Sequence, residues 1–412
     1  MLVVMAKLGS PQMVGRFTLG LAITAPVMLF ASLKTRIVQA TDARQEYSFG
    51  HYLGLRLITT VLALLVIAGI VFVSGYRRET AWVILAVGLA KAFESLSDVF
   101  YGLLQQHERM DRIAKSMMIK GPASLFALGA GIYLTGSVLW GGVGLVVAWA
   151  LVLASYDVRS AALLLRRVSR DVDPGRTALR QKPTLHPLWE WRTLSGLAWR
   201  MLPLGIVLAL TSLRTNIPRY FVERYLGEYE LGIFAAMSYL MVVGNTVATA
   251  LGHAASPRLA RYYAAGNGPA FRTLLLKLVG VGGLLGGAGV LVALVAGRQL
   301  LTLLYRPEYA AQHTVLVRLM VAAGIDFVAT FLYFGMMAAR YFKVQVPLFA
   351  VVTGSAALLC LWLIPADGLR GAATVLVIAT VVRVGGSLVI LVDMLRGLQR
   401  PRQGVQIRQQ GA

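Results

Sequence analysis

Three ionisable residues on one apolar segment carry the most chemistry in this sequence. Lys91, Glu94 and Asp98 lie inside the run 81–104, whose other residues are largely apolar. At 100° per residue they fall within an arc of about 60° that also holds Ser95 and Gly102, so they form one polar stripe on a helix. Each such charge costs roughly 2.5–3.5 kcal/mol in hydrocarbon, so the stripe is expected to face a bundle interior or a water-filled cavity. Two readings stay open: a cavity that meets a charged solute or ion, or a structural pair in which Lys91 and Glu94 neutralise each other at i, i+3. The second leaves Asp98 without an explanation.

Asp326 and Arg383 sit at comparable depth in two later runs. From mid-helix Arg383 has no route by which to snorkel, and it needs either an acidic partner or an anionic ligand; Asp326 is the partner the sequence offers. Arg214, Asn216 and Arg219 flank Pro218 at the end of another run. They can touch an anionic headgroup or serve as interfacial anchors. Lys34, Arg36, Arg44 and Arg56 cluster between two runs, where guanidinium forks can collect phosphate oxygens at the mouth of a pathway or can simply follow the distribution of loop charge. The six glycines between Gly280 and Gly289 lie within an apolar run and lack the GxxxxGK[ST] pattern of a phosphate loop, so close helix packing is their expected role. With no nucleotide site, any movement of a solute through such a cavity would use an ion gradient, of H⁺ or Na⁺, or run downhill. The single cysteine, Cys360, excludes an intrachain disulfide, and the five histidines form no HExxH motif, so no metal or cofactor is expected.

The elements that position these residues are membrane spans. Of 412 residues, 57% are hydrophobic and 14% charged, and the mean hydropathy is +0.69. That composition excludes a soluble or disordered chain. Eleven runs approach the ~20 residues that cross a bilayer core: 14–33, 56–74, 81–104, 117–136, 138–158, 198–218, 231–251, 275–297, 311–334, 345–364 and 371–394. Continuous runs of this length exclude a transmembrane barrel. The expectation is an all-α polytopic membrane protein.

The net charge of +22 would suggest nucleic acid in a soluble chain, but here it sorts by loop. Twenty-seven of the 40 basic residues fall on one side of the alternating loops and nine on the other, which places the first set and the C-terminus in the cytoplasm. Eleven spans then leave residue 12 outside. Residues 1–8 read as the last turns of a further, truncated helix, so that six spans would precede the hydrophilic stretch 159–197 and six would follow it. The expected organisation is a lobe at 1–158, a cytoplasmic linker at 159–197, a second lobe at 198–394 and a basic tail at 395–412, a parallel-repeat plan used by transporters. A weak internal echo fits it: Tyr101-Gly102-Leu103-Leu104 is matched by Phe334-Gly335-Met336-Met337.

Several segments carry a family likeness. Lys91-Ala-Phe-Glu94-Ser-Leu-Ser-Asp98-Val-Phe-Tyr101-Gly102 and its continuation to Met110, together with Phe17 to Pro26, Ala40-Thr41-Asp42, Pro218-Arg219-Tyr220-Phe221, Gly227 to Gly232, and Leu304-Tyr305-Arg306-Pro307-Glu308-Tyr309, resemble the polysaccharide biosynthesis, or oligosaccharide flippase, family of bacterial inner membranes. The likeness covers nearly the whole chain except the first family helix. It implies the multidrug/oligosaccharidyl-lipid/polysaccharide exporter superfamily, with two six-helix lobes in a MATE-like V. It also implies export of undecaprenyl-pyrophosphate-linked repeat units for O-antigen, capsule or exopolysaccharide, alongside a polymerase and chain-length machinery. By the same likeness Arg36, Arg44, Lys91 and Arg383 become candidates to meet the pyrophosphate. A drug/cation antiporter, using Glu94, Asp98 and Asp326 as ion sites, is the alternative from the same superfamily. A membrane glycosyltransferase or polymerase is less favoured, because such enzymes usually carry a sizeable outer loop with catalytic residues and the outer loops here are short.

Overall fold

The computed structural model describes residues 1–42, 46–170, 185–339 and 344–399. Among them there are helices and no strands. In order, α1 is Leu2–Leu8, α2 Pro11–Ser32, α3 Thr35–Thr41, α4 Phe49–Ser74, α5 Arg78–Gln106, α6 Met110–Thr135 and α7 Val138–Val152; α8 is Val158–Arg170, α9 Trp191–Leu226, α10 Glu228–Ala264, α11 Gly268–Leu304, α12 Pro307–Ala310, α13 His313–Ala338 and α14 Gln345–Gln399. A π-helical turn, Leu153–Asp157, joins α7 to α8. Helix prevails because a chain in lipid must satisfy its backbone polar groups within itself.

Nine helical stretches among the described residues are long and apolar enough to cross a membrane. The last of these, Gln345–Arg396, is broken at Gly368, whose φ of 58° and ψ of −132° are not helical, and it therefore holds the two final expected spans. With α5, whose own charges depress its hydropathy, the described spans match the eleven read from sequence. Between spans the chain turns on residues chosen for it. Ser10 caps α2 by accepting from the Met13 amide and Pro11 opens the helix, Ser48 and His51 form a reciprocal box at the start of α4, and Ser137 caps α7.

Two compact units form, Met1–Ala236 and Met237–Ala412. The expected boundary lay in the stretch 159–197, whose described ends are helical: α8 runs to Arg170 and α9 begins at Trp191. Residues 171–184 of that stretch, and 400–412 of the expected tail, lie outside the described residues. Helix α9, expected to open the second lobe, packs in the first unit. Gly205 has no side chain to hold it off Phe30 and Leu33 of α2, Tyr220 donates to the Ala22 carbonyl, and Leu194, Leu197 and Met201 join the core formed by α4, α5 and α8. The short α1 packs on α6, with Met5 and Ala6 fully buried.

Large apolar side chains on the outside mark the lipid-facing belt. Phe72 is 90% exposed, Phe126 79% and Trp362 80%, values that water would penalise and acyl chains do not. In the second unit the expected role of the Gly280–Gly289 run is realised at one crossing: a Cβ on Gly286 would strike the backbone of Gly324, so α11 and α13 touch main chain to main chain.

Candidate functional site

The stripe on α5 meets three other helices of the first unit. Lys91 Nζ donates to Glu94 Oε2 at 2.6 Å, and its ammonium lies 5.4 Å from the centre of the Trp149 ring. Asp98, the residue that a Lys91–Glu94 pair leaves unexplained, is held by two arginines. Arg36 Nη1 donates to one carboxylate oxygen at 3.1 Å and Arg56 Nη2 to the other at 3.2 Å. The α2–α3 corner brings Arg36 to this point: Leu33 and Lys34 both take left-handed backbone angles, which turns α3 back across α5. Arg36 is fixed further by Gln105, which accepts from its Nε at 3.0 Å, and by the Tyr101 ring at 5.5 Å.

Arg56 lies elsewhere than the mouth of a pathway. Its side chain is 1% exposed and it braces α4 against α5 through Asp98; its Nε and Nη1 have no hydrogen-bond partner among the described residues. Arg44 of the same basic cluster lies outside the described residues. Lys34 stands half-buried at the α2–α3 corner.

A second polar group sits beside the first, and the sequence did not single it out. Lys120 of α6 donates to Ser97 Oγ at 2.8 Å and to the Tyr101 hydroxyl at 3.4 Å, and it lies 3.8 Å from Asp157 of the π turn. Asp157 is fully buried and accepts from Ser116 Oγ at 2.5 Å. The Tyr101 and Trp149 rings lie 5.5 and 5.8 Å from the Lys120 ammonium. Trp149 is itself fixed by donating Nε1–H to Ser124 at 2.6 Å. Trp149 thus stands between Lys91 and Lys120, and Tyr101 between Lys120 and Arg36. Four cations, Arg36, Arg56, Lys91 and Lys120, meet three carboxylates, Glu94, Asp98 and Asp157, in one connected layer. The sequence signal was weak because Lys120 and Asp157 each fall near the end of a span, where a charge needs no special explanation.

In the second unit Arg383 Nη1 donates to Asp326 Oδ1 at 2.5 Å, and its guanidinium lies 5.7 Å from the Phe349 ring. The expected pairing is present, with Arg383 6% exposed. One turn along α13, Thr330 donates to the Asp326 carbonyl at 2.9 Å and contacts Asn245 Oδ1 at 3.4 Å. Nearby on the chain, Tyr305 and Tyr309 of the Leu304-to-Tyr309 motif stack at 5.1 Å, and burial pushes the Tyr305 phenol up to about 12.

On α9 the three candidates around Pro218 are bound up locally. Asn216 is buried and donates to the Ser212 carbonyl at 3.0 Å, Arg219 donates to Asn216 Oδ1 at 3.0 Å, and Arg214 is half-buried one turn before. At the helix ends that meet near Glu79 and Glu228, Arg16, which the sequence did not single out, joins three elements. Its Nε donates to Glu228 of α10 at 2.7 Å and its Nη1 to Glu79 of α5, while Thr80 also donates to Glu228. Gly15 and Gly232 permit this clasp, since a Cβ on either would run into a carbonyl of the opposite helix. Among the described residues no three His, Cys, Asp or Glu side chains are grouped so as to hold a metal ion.

No family model matches the chain. A capsular polysaccharide biosynthesis protein, CapF of Staphylococcus aureus, is 29% identical over 384 residues, covering 92% of this chain and 90% of the relative. Among solved structures, an inward-facing multidrug resistance MATE family transporter of the MOP superfamily matches 97% of this chain and 94% of its own, with a TM-score of 0.72 and 16% identity. The lipid II flippase MurJ, in an inward closed conformation, matches 96% of this chain and 86% of its own, with a TM-score of 0.73 and 10% identity. The comparisons agree with the resemblance read from the sequence: the chain has the fold shared by MATE and MurJ transporters, and over nearly all its length it is similar to a capsular polysaccharide biosynthesis protein.

Proposed function

We propose that this protein moves an undecaprenyl-pyrophosphate-linked oligosaccharide across the bacterial inner membrane by alternating access, with its C-terminus in the cytoplasm. The observation that carries the reading is the full-length likeness to a capsular polysaccharide biosynthesis protein in a chain with the fold of a lipid flippase. The geometry supports it. Arg36 is half-buried, fixed by Asp98, Gln105 and Tyr101, and presents a guanidinium that suits phosphate oxygens. Lys91 and Arg383, each within reach of one acid, are the second and third candidate contacts. The product would pass to a polymerase and its chain-length machinery.

The buried Lys120–Asp157 pair favours a second reading, a drug/cation antiporter, because a carboxylate and an ammonium linked through the Tyr101 and Ser116 hydroxyls make a site for a coupling proton or Na⁺. The same pair would serve an ion-coupled flippase. A strain deleted for the gene separates the two. Restoration of surface polysaccharide by the wild-type protein, and its loss with Arg36→Ala at unchanged membrane abundance, are the expected results. Normal polysaccharide in the deletion strain, with gained drug sensitivity, would overturn the flippase reading in favour of the antiporter.

A further inference from the structure

The first unit holds a cavity of about 1020 Å³ between the outer ends of α2, α4, α9 and α10. Its size reaches the top of the ~300–1,000 Å³ range of small-molecule sites. Part of the lining is apolar, from residues such as Ile23, Val27 and Leu213. The rest is not: it includes Tyr76, Tyr220 and Tyr229, with Glu223, Arg224, Gln12 and Glu228 of the Arg16 clasp. A smaller void between α6 and α7, lined by Phe126, Leu134, Trp140 and Leu151, has almost nothing polar in it and is the kind of groove an acyl chain fills.

The lining narrows the ligand class. A hydrocarbon tail in the larger cavity would strip water from carboxylates and guanidinium groups without replacing it. A bare phosphate would meet Glu223 and Glu228 as well as Arg77 and Arg224, so attraction and repulsion would nearly cancel. Sugar rings fit both parts. Their C–H faces pack on tyrosine rings, and their hydroxyls exchange hydrogen bonds with tyrosine OH groups, carboxylates, a guanidinium and an amide. By the charge of the loops, this end of the helices is the outer one.

We propose that this cavity is a saccharide-binding site that receives the glycan part of the lipid-linked oligosaccharide at the outer end of the transport path. The glycan assignment rests on the function proposed above, while sugar binding by the cavity is measurable by itself. The full chain in nanodiscs is titrated with a panel of soluble neutral and uronic-acid-containing tri- to pentasaccharides, read by saturation-transfer NMR. Binding on the order of 1 mM is expected, weakened about tenfold or more by Tyr76→Ala and by the Glu223→Gln/Arg224→Gln pair at unchanged melting temperature. Dihexanoyl phosphatidylglycerol should not compete. Three results overturn the site: no transfer to any sugar, unaltered binding in both variants, or displacement by the short-chain lipid. Failure of the wild-type gene to restore polysaccharide would instead overturn the flippase reading, and the NMR titration would still decide whether the cavity binds sugar.

Discussion

At the scale of single residues, Asp98 is the keystone of the candidate site. It faces one guanidinium that is almost wholly buried and another that is half-buried. The Asp98 carboxylate is itself 34% exposed, so its removal costs less than the about 3–5 kcal/mol of a fully buried pair, but it leaves the Arg56 charge desolvated. Asp98→Ala is therefore expected to lower the melting temperature of the purified protein, and Arg56→Met in the same chain to recover part of the loss. Additive losses in the double variant would show that the two residues do not act on each other. Much of this site could be read in advance. Periodicity placed Lys91, Glu94 and Asp98 on one face, and the cost of a lone mid-membrane charge pointed Arg383 toward Asp326. What periodicity does not encode is which residue of another helix arrives opposite. Arg36 reaches Asp98 only because two successive left-handed residues turn α3 back, and nothing in the types Leu33 and Lys34 announces that turn, since neither is a glycine.

Among the elements, spans were legible because hydrocarbon thickness fixes their length, whereas breaks and joints were not. The π turn that carries Asp157 is an example: it follows an uninterrupted apolar run and has no sequence signature of its own, yet it sets the acid toward α6. The placement of α9 is another. A small residue, Gly205, lets it settle on α2, an effect of shape rather than of hydropathy. Close crossings of this kind make strong predictions. At the α11–α13 contact Gly286→Leu must push two backbones apart, at a cost of at least about 1–3 kcal/mol. It should depress the melting temperature well beyond Gly287→Leu, whose added Cβ meets open space. Equal effects would mean that the crossing is looser than described.

For the whole molecule, the loop charges predict an orientation that chemistry can read. With Cys360 changed to Ala, an impermeant maleimide applied to intact cells with a permeabilised outer membrane is expected to label Glu308→Cys and to spare Arg261→Cys, both of which are exposed. The reverse pattern would invert the topology and move the aromatic-lined cavity to the cytoplasmic side. The clamp on Asp98 also has a meaning for a protein working in a cell rich in soluble anions. Any inorganic phosphate, nucleotide or free sugar phosphate that reaches Arg36 must compete with a carboxylate tethered beside it, present at an effective concentration of millimolar or more. A small anion carries little else with which to win that contest. A ligand that also brings a long apolar chain, already dissolved in the surrounding bilayer, arrives at high local concentration and adds contacts of its own. Under the function proposed above, the internal counter-ion would thus act as a sieve against the commonest soluble anions.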